Sequence, residues 1–256
     1  YAASAIANAE SLNQLSDAKA EIERISLSDQ LTGLYNRRFL EQLLPGETNN
    51  LQRLIDGGSE LRLGVILLDA DHFKQINDRY GHQAGDRVLV QLGGLLKSIC
   101  REMDWAIRFG GEEFLVLAKV NSTDQLLLLA ERIRLSIREQ AFELADGTIV
   151  RRTCSMGICQ YPFIATHFSA VSWEQTLQLA DQALYMAKRS GRDRWIALIE
   201  QRIDNPADFY DEALGNLEAA IASKQVARYS SVDPQRGLMS VLRGSGSDDT
   251  LSGNVA

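Results

Sequence analysis

The chain of 256 residues carries 27 Lys and Arg against 34 Asp and Glu, a formal charge of −7, with 45% apolar and 24% charged residues. That balance is ordinary for a globular protein with a real core and excludes collagen-like, low-complexity and wholly disordered classes. The acidic surface disfavours nucleic acid and anionic membranes as partners, while leaving room for a local basic site that holds one phosphate ligand. Cys100, Cys154 and Cys159 form no CxxC pair, so a disulfide scaffold is excluded and a reducing, cytoplasmic setting is expected. No apolar run approaches the ~18 residues of a membrane span, and Tyr1-Ala2-Ala3-Ser4 lacks the parts of a signal peptide. The chain opens on Tyr rather than Met and reads as a segment of a longer protein, so a membrane tether upstream stays open.

Residues 1–26 contain no Gly or Pro and set Leu15, Ala18, Ile22 and Ile25 on one helical stripe. This is either a dimerising coiled coil or an amphipathic helix packed on its own domain. A turn around Gly33 leads into a helix expected to end near Leu44. Pro45–Glu60 reads as a polar connection with a short helical turn at Leu51–Ile55. Leu63–Leu68 is a continuous apolar run, the pattern of a central strand covered on both faces, and it stops at Asp69.

Val88, Leu89, Leu92, Leu95, Leu96 and Ile99 repeat at helical spacing after Asp86, read as the N-cap. Ala106–Phe109 and Phe114–Ala118 flank Gly110-Gly111-Glu112-Glu113, which predicts a hairpin. Helices follow over Leu126–Gln140 and Trp173–Arg189, with strands at Thr153–Cys159 and at Trp195–Leu198, where the sheet is expected to close. The pattern defines an α/β (α+β) fold, a largely antiparallel sheet flanked by helices. From residue 200 the chain looks separate, with an amphipathic helix entered through Asn205-Pro206 and carrying Phe209, Ala213, Leu217 and Ile221, then a Ser-, Gly- and Asp-rich tail expected to be disordered.

Asp69 and Asp71 stand where a buried strand emerges, a place favoured by functional sites, although acidic residues also simply end strands in solvent. Gly110 and Gly111 allow close approach of a ligand to the backbone, or form a plain tight turn, and Glu112 and Glu113 follow at once. If the hairpin lies beside the Leu63–Leu68 strand, Asp69 and Glu112 can share a hard divalent cation of the kind that also binds substrate phosphates. Lys74, Lys188 and Arg192 are then candidate phosphate contacts, or else ordinary helix-end cations. Asn77 and Asp86 bracket Gly81–Gly85, and an amide with a carboxylate can read a guanine edge. His72, His82 and His167 are too scattered for a metal triad.

These residues carry a family resemblance. Arg108-Phe109-Gly110-Gly111-Glu112-Glu113-Phe114 resembles the signature of GGDEF diguanylate cyclase domains, in a GGEEF form. Asp29–Arg38, Asp69–Asp78, Gly81–Asp86 and Ala183–Arg192 resemble further motifs of that family in order, so the likeness covers residues 27–199. It implies a fold like that of nucleotide cyclases and polymerase palms, and the condensation of two GTP into cyclic di-GMP with release of pyrophosphate. Asp69, Glu112 and the Ala70 carbonyl match the ligands of Mg²⁺, for which Mn²⁺ is an alternative. Asn77 and Asp86 match the guanine-reading pair. Phe73 and Lys74, with Lys188 and Arg192, match the phosphate contacts. The resemblance further implies that Gly110 and Gly111 leave space for the nucleotide and makes Glu113 a candidate to assist deprotonation of the attacking hydroxyl.

One domain holds one GTP, so the resemblance also implies a homodimer, with the 1–26 helix controlling its geometry. Arg101-Glu102-Met103-Asp104 resembles the family's RxxD site for inhibition by product, completed by Arg132. Ordinary surface charge is the plainer reading of those residues. Phe109 departs from the usual Tyr or Trp. Besides an active cyclase, two alternatives stand: a non-catalytic cyclic di-GMP-binding effector, and a scaffold dependent on a regulatory protein bound at the N-terminal helix or the C-terminal extension.

Overall fold

The computed structural model describes residues 26–232. The stalk helix expected over 1–26, save Ser26, and the tail beyond 232 lie outside the described residues. In chain order the elements are β1 (Tyr35–Asn36), α1 (Arg37–Asp56), β2 (Arg62–Ala70), α2 (Phe73–Tyr80), α3 (His82–Ile99), β3 (Trp105–Gly110), β4 (Glu113–Val120) and α4 (Thr123–Glu139). They continue with β5 (Phe142–Glu143), β6 (Ile149–Val150), β7 (Cys154–Tyr161), α5 (Trp173–Arg189), β8 (Arg194–Glu200), α6 (Phe209–Gly215), α7 (Leu217–Ala222) and β9 (Val226–Ser230).

One seven-stranded sheet runs β1-β3-β4-β2-β7-β8-β9. The β1–β3 and β7–β8 pairs are parallel and the other four are antiparallel. Period-2 alternation divides β2 between two cores: Ile66, Leu68 and Ala70 face the α3–α4 side, while Leu63, Val65 and Leu67 face the α1–α5 side. This is the two-faced burial that the apolar run predicts. The α5 helix starts at a capping box, Ser172 with Gln175. It can settle directly on β7 because a Cβ on Gly157 would fall 1.9 Å from the Ala180 carbonyl oxygen. Helix and strand backbones therefore touch, and this contact fixes where the C-terminal end of α5 arrives.

Several expectations need correction. The α1 helix does not stop near Leu44 but runs through Pro45 to Asp56. Proline removes one backbone donor, yet Leu40 and Leu51 are buried on either side of it, and Glu47 pairs with Lys119 at 2.7 Å. Tertiary anchoring at both ends outweighs the local break. The α3 helix begins at His82 after Gly81, so Asp86 is an exposed residue inside it and not its N-cap. Burial of Ala84 and Gly85 against α2 draws the helix a turn earlier.

Finally, β8 does not close the sheet, because β9 pairs antiparallel with it from Ile196–Ser230 to Glu200–Val226. Residues 201–232 belong to the same sheet and core. Phe209 is fully buried and stacks on Phe163 with centroids 5.4 Å apart. Its helix starts at Phe209 behind Asp208, not at Pro206, and breaks at Asn216 before Leu217 and Ile221.

Candidate active site

The site is assembled at one edge of the sheet, where β2 ends. Asp69 is the last odd-numbered residue of β2, so it shares a face with Val65 and Leu67 and points to the α5 side. Its ladder partners are Glu113 on β4 and Ser155 on β7. One residue on, the Ala70 N–H donates to the Glu112 carbonyl at 3.3 Å. The hairpin and the strand end are thus stitched together at the residues named as ligands, and Asp69, Ala70 and Glu112 are brought to one place.

The α5 helix delivers Lys188, whose Nζ lies 2.8 Å from Asp69 Oδ2. Burial pushes the Asp69 carboxyl above the ordinary range, the Lys188 ammonium partly offsets this, and Asp71 adds to the rise. Glu113 is raised as well, first by burial and then by the charge of Asp69. Two carboxylates at paired ladder positions that share the charge of one lysine, itself paired with Asp69, form an electrostatically unfinished site, short of positive charge. The donor set fits Mg²⁺, which takes one or two carboxylates and completes its shell with water and substrate phosphates. Among the described residues no group of three or more His, Cys, Asp or Glu side chains forms a metal cage by itself.

Asp71 is placed differently from Asp69. It is 1% exposed and accepts from Thr153 Oγ1 at 2.6 Å, Ser155 Oγ at 2.7 Å and the Asp193 N–H at 3.0 Å. Its oxygens are used up inside the protein, so it ties β2, β7 and the turn before β8 together. Sequence reading grouped the two aspartates, and only the hydrogen-bond partners separate them. Next to it, His72 at φ 58° turns the chain into α2, whose N-terminus has no side-chain cap. Phe73 and Lys74 open that helix at the strand end, where the helix dipole favours an anion, while the next N–H, that of Gln75, donates to the His72 carbonyl at 3.0 Å. Phe73 is buried and Lys74 exposed. Arg192 reaches the same edge, with Nε 4.0 Å from Asp71 Oδ1.

Asn77 sits on α2 against α3. A Cβ on Gly85 would fall 2.0 Å from Asn77 Oδ1, so only glycine admits the amide there. Asn77 Oδ1 is buried without a hydrogen-bond partner, a costly state that a ligand donor would relieve. Asp86 follows Gly85 on the same helix and is exposed.

The Gly110-Gly111 turn is held from outside the site. Arg108 Nε and Nη2 donate to the Gly111 carbonyl at 3.0 and 2.9 Å, and Arg108 Nη1 pairs with Asp29 at 3.0 Å. Asp29 in turn accepts from the Thr32 N–H and hydroxyl at 2.8 and 2.7 Å. Sequence reading assigned no role to Asp29 or Arg108. Their half-buried ion pair joins the two motifs only in the folded chain, and no spacing in the sequence announces it.

Arg101, Asp104 and Arg132 lie away from this edge and line a common cavity of about 450 Å³ between α4 and the α3–β3 loop. The Arg101 N–H donates to Asp104 Oδ2 at 2.9 Å, and Arg132 Nη2 donates to the Ile99 carbonyl at 3.1 Å. Burial pushes the neighbouring Cys100 thiol up to about 12, so it is not a reactive thiolate. No helix among the described residues is long and apolar enough to cross a membrane.

The family profile described as diguanylate cyclase, GGDEF domain, matches residues 26–194. The chain belongs to that family. The diguanylate cyclase DgcP of Pseudomonas aeruginosa is 43% identical over 169 residues, 66% of this chain and 23% of that protein. Diguanylate cyclase A of Treponema denticola is 33% identical over 194 residues, 76% of this chain and 50% of its own length. The chain therefore spans at most half the length of these two relatives. Among solved structures, the diguanylate cyclase SiaD of P. aeruginosa in complex with its activator SiaC is 35% identical, with a TM-score of 0.61 over 74% of this chain and 68% of that one. The coiled coil and GGDEF domain of DgcB from Caulobacter crescentus, in complex with c-di-GMP, shares the fold with a TM-score of 0.64 at 24% identity, over 73% of this chain and 93% of that one.

Proposed function

We propose that this chain is a diguanylate cyclase that condenses two GTP into cyclic di-GMP and pyrophosphate. The observation that carries the reading is the stitched strand end, where the Ala70 N–H bonds the Glu112 carbonyl while Asp69 stands opposite Glu113. Asp69, Glu112 and the Ala70 carbonyl would hold Mg²⁺, or Mn²⁺, which supplies charge neutralisation for the triphosphate and the leaving pyrophosphate. The open start of α2 at Phe73 and Lys74 and the side chains of Lys188 and Arg192 hold phosphate oxygens. Lys188, now the countercharge of Asp69, already has the reach. Asn77 offers an unpartnered buried oxygen to a guanine N–H donor, and Asp86 accepts a second.

Gly110 and Gly111 leave room for the nucleotide beside the hairpin. Glu113, raised by burial and by Asp69, is the group to take the proton from the attacking 3′-hydroxyl. The other GTP must come from a second copy facing the first, so the active form is a homodimer and catalysis is largely alignment. The 1–26 helix and the C-terminal extension are the elements through which a regulatory protein would set that alignment. The cavity shared by Arg101, Asp104 and Arg132 is the proposed site of product inhibition. Incubation with GTP and Mg²⁺ must yield cyclic di-GMP and pyrophosphate, with no product from ATP alone. Added product must inhibit the parent chain and lose that effect in Arg101→Ala. A chain that assembles into dimers and binds GTP yet makes no product contradicts the reading.

A further inference from the structure

Between α5 and β8 the chain takes three successive positive φ values: Gly191 at 111°, Arg192 at 57° and Asp193 at 45°. Only the first is a glycine, so two ordinary L residues are held in a conformation that they disfavour. Such a turn persists only where its surroundings over-determine it. Here they do. The Arg192 N–H donates to the Ala187 carbonyl at 3.2 Å, and the Asp193 N–H donates to Asp71 Oδ2 at 3.0 Å. The Asp193 side chain is gripped from α4, with its Oδ1 2.8 Å from Arg134 Nη1.

Arg134 is 8% exposed and is itself locked on its other side. Its Nε and Nη2 donate to the two oxygens of Glu131 at 2.9 and 2.7 Å, and the Trp195 Nε1–H donates to Glu131 Oε2 at 2.9 Å. A buried fork of this kind is rigid and directional. It connects α4, which contributes no residue to the site, through Asp193 to Asp71 at the end of β2. Arg192 is the residue carried by the turn, and its side chain arrives 4.0 Å from Asp71 Oδ1.

We propose that Arg134 and Asp193 are positioning residues that hold the left-handed turn and so aim Arg192 at the nucleotide's phosphates. The inference rests on the nucleotide-binding reading above and assigns a task to two residues outside it. Relaxing the turn to ordinary backbone would redirect the Arg192 side chain without removing it. The effect of losing the brace must therefore run through Arg192.

The test is a double-mutant cycle on the full chain with Mg²⁺, read by calorimetric titration of 3′-deoxy-GTP, which lacks the attacking hydroxyl and does not turn over. Asp193→Ala removes the gripped carboxylate, keeps the N–H to Asp71 and leaves an L residue that disfavours positive φ, so the turn loses its brace and not its strain. Arg192→Ala and Asp193→Ala should each weaken binding about 10-fold, and the double variant should be no more than about 2-fold weaker than Arg192→Ala alone. Asp193→Asn, which keeps an oxygen for Arg134, should bind within about 2-fold of the parent. Should Asp193→Ala not fold by circular dichroism, Arg134→Lys, which cannot span Glu131 and Asp193 together, takes its place in the cycle with the same expected coupling. Additive losses, or a brace variant that binds like the parent, overturn the proposal. Parental affinity in Arg192→Ala overturns it while leaving the cyclase reading standing, whereas a parent chain that does not bind the nucleotide overturns both.

Discussion

Asp29 and Arg108, 79 residues apart, meet at 3.0 and 3.2 Å from one guanidinium nitrogen, and the same guanidinium donates twice to the Gly111 carbonyl. The glycine turn of the signature is thus braced by the first motif of the domain, whose Asp29–Thr32 turn orients the carboxylate. Burial acts to raise the Asp29 carboxyl, but bonds from Thr32 and Arg108 outweigh it and hold it below its ordinary value.

Arg108→Ala should lower stability by about 1–2 kcal/mol, between the values for exposed and buried pairs. It should also reduce turnover, because the hairpin bearing Glu112 loses its outer support. The sign with pH follows from the lowered carboxyl: the Asp29 contribution is present above the unfolded value near 3.8 and is lost as pH falls through the folded one. Denaturant melts of parent and Asp29→Asn should differ at pH 7 and converge in acid. Equal stabilities at pH 7 would show that the brace is idle.

Glu113 predicts the opposite sign. Its folded-state value is raised, so ionisation costs stability, and the cost grows as pH rises from 4.5 through the folded value. Glu113→Gln should melt higher than the parent at pH 8 without nucleotide or metal and lose turnover. The gain in melting temperature should vanish below pH 4.5. A lower melting temperature for Glu113→Gln at pH 8 would refute the electrostatic account of this position, which places strain at the site in exchange for activity.

Two glycines on one helix make a paired prediction. A Cβ on Gly85 would collide with Asn77 Oδ1 at 2.0 Å, whereas one on Gly94 meets nothing within 4 Å. Gly94→Ala should stabilise by up to about 1 kcal/mol through helix propensity alone. Gly85→Ala should destabilise by about 1–3 kcal/mol through overpacking, and should raise the KM for GTP, because Asn77 is displaced. Thermal melts and initial rates on the two variants check both halves.

Much of this was legible from residues. The run Leu63–Leu68 announced a strand buried on both faces because parity does not matter when both sides are covered. The α5 helix was readable from the Leu177, Ala180, Leu184 and Ala187 stripe, and the structure adds the Ser172 cap at its start. What escaped depends on tertiary partners. Val226–Ser230 carries no strong pattern and is a strand only because β8 offers it an edge. The passage of α1 through Pro45 depends on leucines at both ends finding one core. The difference between Asp69 and Asp71 lies in what surrounds each carboxylate, since both belong to one tripeptide. Arg134 looked like any charged residue on an amphipathic helix until Asp193 and Glu131 closed around it.

Phe209 tests whether the segment after residue 200 is part of the core. It is 0% exposed against Phe163, so Phe209→Ala should cost about 3–5 kcal/mol. A cost under about 1 kcal/mol, the size of a surface substitution, would mean that the segment is only loosely attached.

The most direct test of the central claim is calorimetric titration of Mg²⁺ with GTP into the parent chain, Asp69→Asn and Glu112→Gln, with cyclic di-GMP formation measured on the same samples. The account predicts that either amide abolishes Mg²⁺-dependent nucleotide uptake and product formation together while the fold persists by circular dichroism. Parental uptake and turnover in both variants would contradict it.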